Sequence, residues 1–141
     1  MNRHELRKEV FKATFMNEFH EPEEMNTVVD AFLQTRDLAE EEDLAKNNKS
    51  QEDESYVAEK VADLLSKIPV LDATINSAVD GWKTSRMAKV DLTLIRLALY
   101  EIKYEQLPVG VAIQEAVELA SEFGTDTSAS FVNGALAKLV K

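Results

Sequence analysis

DLTLIRLALYEIKY, residues 91–104, sets the architecture of the whole chain. Residues of an α-helix advance by about 100° each, so Leu92, Leu94, Ile95, Leu97, Ala98, Leu99, Tyr100 and Ile102 would cover nearly every side of it. Thr93, Arg96, Glu101 and Lys103 interrupt that surface only locally. A helix apolar all round belongs at the centre of a core, with other helices packed on several sides. Asp91 is placed to cap its start, since a carboxylate there can accept from the unpaired N–H groups of the first turn. Arg96 falls in the most apolar part, so its guanidinium must either reach the surface past its own methylenes or find a buried acceptor.

On the N-terminal side of this segment, RHELRKEVFKATFMNEF (3–19) places Leu6, Val10, Phe11, Phe15 and Phe19 at helical spacing. Pro22 suits the first turn of a second helix carrying Met25, Val28, Val29, Phe32 and Leu33. Residues 37–50 are acidic and polar and read as a connector. Ser50, with Asp53 three residues later, is a plausible cap for a third helix with Tyr56, Val57, Val61, Leu64, Leu65 and Ile68. Pro69 is expected to end it. A fourth helix follows with Leu71, Ile75, Ala78, Val79 and Trp82, breaking near Gly81.

On the C-terminal side, EQLPVGV reads as a turn holding Pro108 and Gly110. A helix over about 111–123 buries Ile113, Ala116, Val117, Ala120 and Phe123, with Gly124 in the position of a left-handed cap. The last helix starts near Ser128 or Ser130 and carries Phe131, Val132, Ala135, Leu136, Leu139 and Val140. Gly134 within it suggests close approach by another helix. No stretch shows useful β-alternation, so the expectation is an all-α fold of six or seven helices in two packed small bundles. Residues 1–141 would form one domain, with halves at about 1–69 and 70–141.

Charge is spread unevenly. Four Lys or Arg against two Asp or Glu give +2 over residues 1–16, four against fifteen give −11 over 17–63, and eight against nine give −1 over 64–141. The total of −10 speaks against nucleic acid only as an average, because the N-terminal cations survive it. Arg3 with Arg7 and Lys8 with Lys12 form i, i+4 pairs on lines about 140° apart, so they do not make one flat basic face. The absence of cysteine excludes disulfides and thiolate chemistry, and no apolar run approaches a membrane span or a signal-peptide core. A cytoplasmic protein without membrane attachment is expected.

Signatures of catalysis are missing. There is no phosphate-cradling glycine loop, no HExxH and no GxSxG, and the two histidines, His4 and His20, stand too far apart along one helix to share a metal. Neither an enzyme, a cofactor nor a metal site is expected.

Three elements in order, VDLTLIRLALYE, LPVGVAIQEAVELASEFG and SFVNGAL, make the run 86–140 closely resemble the NusB family of bacterial transcription antitermination factors. RHELRKEVFKATF is similar to that family's arginine-rich first helix. The resemblance implies an all-helical fold and a function without catalysis. That function is binding of boxA-type single-stranded RNA from ribosomal RNA leaders, together with the small-subunit ribosomal protein NusE, which helps RNA polymerase pass terminators. It also implies RNA contacts from Arg3 and Arg7, with Lys8 and Lys12 beside them, and from the loop Thr125, Asp126, Thr127 and Ser128, followed by Phe131. His4 stands where the family often has arginine, Thr127 replaces a frequent acid and Ser130 a frequent lysine. Asp91 matches an acidic position linked to the ribosomal partner, the helix cap being its alternative role. Phe15 matches an aromatic facing the same region, with core packing as its alternative. The acidic segment 17–63 would steer a basic ribosomal protein through long-range attraction.

Two rivals remain at this level. The same helical domain resembles the RNA-binding part of some rRNA cytosine methyltransferases, and a helical protein of this kind could instead self-associate, as a homodimer when free, without an RNA role.

Overall fold

The computed structural model describes residues 2–16, 51–78 and 83–140. Five α-helices and one 3-10 turn make up the regular structure there, with no strand among the described residues. They are α1 (Arg3–Phe15), α2 (Gln51–Ala78), the 3-10 turn Thr84–Arg86, α3 (Lys89–Tyr104), α4 (Val109–Phe123) and α5 (Ser128–Leu139). The all-α class is as predicted. The expected helix after Pro22, the acidic connector, the Ser50 cap and Trp82 lie outside the described residues. Two compact units divide the chain, Met1–Asp63 and Leu64–Lys141.

In the first unit α1 starts at a reciprocal cap. The Asn2 side chain accepts from the Glu5 N–H at 2.8 Å, and the Glu5 carboxylate accepts from the Asn2 N–H at 3.3 Å. Two donors that a helix start leaves unpaired are thereby satisfied. Arg7, Val10, Phe11, Ala13 and Thr14 are buried, and the Thr14 hydroxyl donates back to the carbonyls of Val10 and Phe11.

Pro69 does not end a helix. α2 runs through it for 28 residues, merging the predicted third and fourth helices. The apolar register explains why: Val57, Val61, Leu64, Ile68, Leu71 and Ile75 alternate in steps of four and three with no phase break at the proline. Pro69 removes one backbone donor, which otherwise would pair with the Leu65 carbonyl, and a helix-interior proline costs about 3 kcal/mol. Pro69 itself is exposed, and burial of Leu64, Leu71 and Ile75 offsets that cost at about 1.5–3 kcal/mol per fully buried aliphatic side chain.

The second unit is built on α3. Every residue from Asp91 to Glu101 is buried, as the apolar circumference of this segment requires. α3, α4 and α5 pack pairwise on one another. α4 contributes Ala112, Ala116, Leu119 and Ala120, and α5 contributes Val132, Ala135 and Leu136, each set repeating at helical spacing. Small alanines at these positions allow close helix approach. Arg96 finds an acceptor, though a half-buried one: Nε and Nη2 each donate to a carboxylate oxygen of Asp72 at 2.8 Å.

Three local readings change. α4 begins at Val109, so Gly110 sits in its first turn rather than in the reversal. The reversal is made by Gln106 at φ 52°, in the left-handed region, with the Leu107 N–H returning to the Glu101 carbonyl at 3.0 Å. Gly124 is extended (φ −98°, ψ −164°) and not left-handed. Its glycine is required sterically, because a Cβ would come within 2.8 Å of the Ala120 carbonyl oxygen and closer still to the Ser128 side chain. At Gly134 a Cβ would meet nothing within 4 Å, so among the described residues no helix approaches it closely.

Candidate nucleic-acid interface

The predicted RNA-contact residues fall in both units. On α1, Arg3 is exposed, Lys8 and Lys12 are half-buried, and Arg7 is only 6% exposed. The helix therefore leaves Arg3 exposed, while much of Arg7 is committed to packing. Phe15 is half-buried and stacks obliquely on Phe11, with ring centres 5.8 Å apart. Its packing role is visible. The Asn2–Glu5 cap fixes the start of α1 and with it the direction in which Arg3 leaves the backbone.

In the second unit the loop between α4 and α5 is tied by its own side chains. Ser128 is buried, and its Oγ accepts from the Thr125 N–H at 2.9 Å. The Thr125 hydroxyl lies 3.3 Å from both the Ser128 and the Thr127 hydroxyls. The Ser128 N–H closes the turn onto the Thr125 carbonyl at 3.1 Å. Thr125, Asp126 and Thr127 are thus presented as an exposed, internally bonded crest, and Ser128 stands behind it. Phe131, half-buried, follows on the first turn of α5. Gly124 is what allows Ser128 this close.

Asp91 is not the cap of α3. Ala88 occupies that position with no side-chain hydrogen bond, and Asp91 lies two residues inside the helix start. There it is 8% exposed, and among the described residues its Oδ1 has no hydrogen-bond partner. An unsatisfied buried acceptor costs about 1–3 kcal/mol, partly offset by the favourable end of the helix dipole.

Sequence reasoning missed two arrangements of local origin. The Asn2–Glu5 box was legible as N-x-x-E, and the serine behind the loop as T-x-x-S. Asp72 as the acceptor for Arg96 had no sequence signal across 24 positions. A shallow groove between α4 and α5, lined by Ile113, Gln114, Val117, Ser130 and Asn133 among others, has no ionisable lining residue and so offers no acid–base pair. Among the described residues, no helix is long and apolar enough to cross a membrane.

The NusB family profile matches residues 4–141. A transcription antitermination protein NusB from Agathobacter rectalis is 44% identical over 142 residues, covering 98% of each chain. Its counterpart from Lachnoclostridium phytofermentans is 38% identical over 141 residues, covering 99% of each. Among solved structures, T. maritima NusB superposes with a TM-score of 0.81 at 27% identity, covering 99% of this chain and 90% of that one. Fold and relatives define an all-helical protein of transcription antitermination, a class of regulators rather than enzymes. The chain belongs to the NusB family.

Proposed function

We propose that this chain binds boxA-type single-stranded RNA from ribosomal RNA leaders together with the ribosomal protein NusE, and so joins the complex in which RNA polymerase reads through terminators. The observation that carries the reading is the crest Thr125–Thr127, exposed and held by Ser128, in a chain of the NusB family. Hydroxyls and backbone groups of such a loop can meet the unstacked bases and 2′-hydroxyls of single-stranded RNA. Arg3 supplies phosphate contact from α1, and Lys8 and Lys12 are proposed to add to it from another side of the helix. Arg7 shapes that surface from within, and Ser128 acts by holding the crest. Phe131 follows on the first turn of α5 and is proposed to meet the RNA there.

Asp91 is the contact proposed for the ribosomal partner, because a basic side chain would satisfy its orphaned oxygen. Phe15 is proposed as a further contact for that partner. Residues 17–63, at −11, would speed encounter with a basic protein, so the association rate should fall as salt rises.

Fluorescence anisotropy of a labelled boxA-type RNA tests the whole reading, using this protein alone, the ribosomal protein alone, and both at physiological salt. Tight binding in the mixture, lost with a scrambled RNA, is expected. Equal weak binding in all three samples would overturn it, and sedimentation of the protein alone would then test self-association.

A further inference from the structure

Between α2 and α3, within the unit Leu64–Lys141, the 3-10 turn Thr84–Arg86 lies in a stretch charged with one sign only. Residues 83–90 hold Lys83, Arg86 and Lys89 and no Asp or Glu, in a chain of 26 acidic and 16 basic residues. Lys83 and Arg86 are exposed, as is Ser85 between them, and Lys89, which opens α3, adds to the local charge. Among the described residues neither Lys83 nor Arg86 has a carboxylate partner. The turn is also held in place. The Thr84 N–H donates to the Asn76 side chain of α2 at 2.9 Å, and the Arg86 N–H donates to the Lys83 carbonyl at 2.9 Å. One helical turn before Asn76, Asp72 takes Arg96 of α3, so α2 grips both the turn and the helix that follows it.

The Arg86 guanidinium presents a planar fork that matches two oxygens of a phosphate, Lys83 adds a point charge, and the Ser85 hydroxyl adds a donor. Both cations leave one small, hydrogen-bonded segment, which lowers the ordering cost of using them together. At physiological salt, charges more than about 8 Å away are largely screened, so the net charge of −10 does not keep a polyanion from this turn. No aromatic residue lies in 83–90, so the segment has nothing on which to stack a base, and the backbone of the strand is what it can hold. None of the large exposed apolar side chains lies there either, whereas a protein interface is centred on buried apolar groups. Phosphates therefore fit the turn better than an acidic protein surface does.

We propose that Lys83 and Arg86, on a turn braced by Asn76, form a sequence-independent phosphate contact for RNA, in addition to the residues of α1 and of the α4–α5 crest. The proposal rests on the reading of this chain as an RNA-binding protein. Contacts of this kind add affinity equally for every sequence, while contacts to bases set the preference.

Three RNAs test this in the full-length chain: oligouridine, a boxA-type RNA and its scrambled counterpart. In the double variant Lys83→Gln with Arg86→Gln, oligouridine affinity should fall about tenfold and its dependence of log K on log salt should flatten by about 1.4, some 0.7 for each lost phosphate contact on a single strand. The ratio of boxA-type to scrambled affinity should stay as in wild type. Asn76→Ala should weaken oligouridine without changing the salt slope, because the phosphate contacts remain and only their ordering cost rises. Lys103→Gln with Lys138→Gln, the same change of charge in the same unit, should leave the slope unchanged. Circular dichroism melts confirm that the variants fold. Oligouridine binding of equal strength and equal slope in wild type and in the Lys83 and Arg86 variant, none in wild type, or an equal loss in the Lys103 and Lys138 variant would overturn the proposal. Intact RNA binding with loss of oligoglutamate binding in the Lys83 and Arg86 variant would also overturn it, and would give the turn to an acidic protein. Equal affinity of wild type for boxA-type and scrambled RNA, with oligouridine still dependent on Lys83 and Arg86, would instead overturn the boxA reading and keep the turn.

Discussion

Arg96 and Asp72 meet as a two-pronged pair, Nε on one carboxylate oxygen and Nη2 on the other, both at 2.8 Å. The arginine side chain is 10% exposed and the aspartate 22%. Removing one partner leaves the other charge largely desolvated, so Asp72→Ala should lower stability by about 2 kcal/mol, short of the full buried-pair penalty because Asp72 keeps some water. Arg96→Met combined with Asp72→Leu should recover most of it, since an apolar pair of similar volume carries no desolvation cost. Urea unfolding of the two single and the double variants reads this directly. A double variant as unstable as Asp72→Ala would show that the pair contributes far more than it costs.

The glycines at 124 and 134 should respond oppositely to the same substitution. Gly124→Ala forces a Cβ against the Ala120 carbonyl and Ser128, and should cost about 1–3 kcal/mol. Gly134→Ala adds a methyl where nothing lies within 4 Å, inside a helix, and should stabilise by about 0.5–1 kcal/mol. Thermal melts of both variants are sufficient. If Gly134→Ala is destabilising, the α5 surface is in contact with something beyond the described residues.

On α1, Asn2→Ala breaks the reciprocal cap and should cost about 1 kcal/mol, seen as faster amide exchange confined to the first turn. The same substitution should weaken RNA binding by loosening Arg3. Arg3→Ala with Lys12→Ala should reduce the salt slope of RNA binding by about 1.4 with little change in stability. Arg7→Ala, at a buried position, should lower both stability and affinity. A salt slope unchanged by the Arg3 and Lys12 pair would place the phosphate contacts elsewhere.

At Asp91 function and stability should separate. Asp91→Ala removes a buried acceptor without a partner and also a favourable charge near the start of α3, effects of about 1 kcal/mol each and opposite sign. Stability should therefore stay within about 0.5 kcal/mol, while affinity for the ribosomal partner falls about tenfold. Calorimetry of the variant with that partner checks the second half, and equal affinity would remove Asp91 from the interface.

Most of the fold was legible because α3 is apolar on all sides, a pattern that only a central helix satisfies, and because α4 and α5 repeat their buried residues at helical spacing. Pro69 misled because its local preference was weighed without the register on either side of it, and the long apolar stripe outweighs one lost donor. Asp91 was placed at the cap, three positions from where it lies in the helix, for a related reason: side-chain capping is common at helix starts, yet the cap of α3 is Ala88, which offers none. Of the candidate site, the exposure of the loop and of Arg3 followed from polar sequence. The burial of Arg7 and Ser128 did not, because a charged or hydroxyl residue discloses its burial only through partners that the fold supplies.

The hydrogen bonds that shape the α4–α5 crest join Thr125, Thr127 and Ser128 to one another, never more than three positions apart. Its form is accordingly written in five consecutive residues, GTDTS, between two helix ends. Such a segment is portable: transplanted between the corresponding helices of a relative, it should carry its conformation along, and any change in RNA preference that travels with it can be assigned to the crest alone.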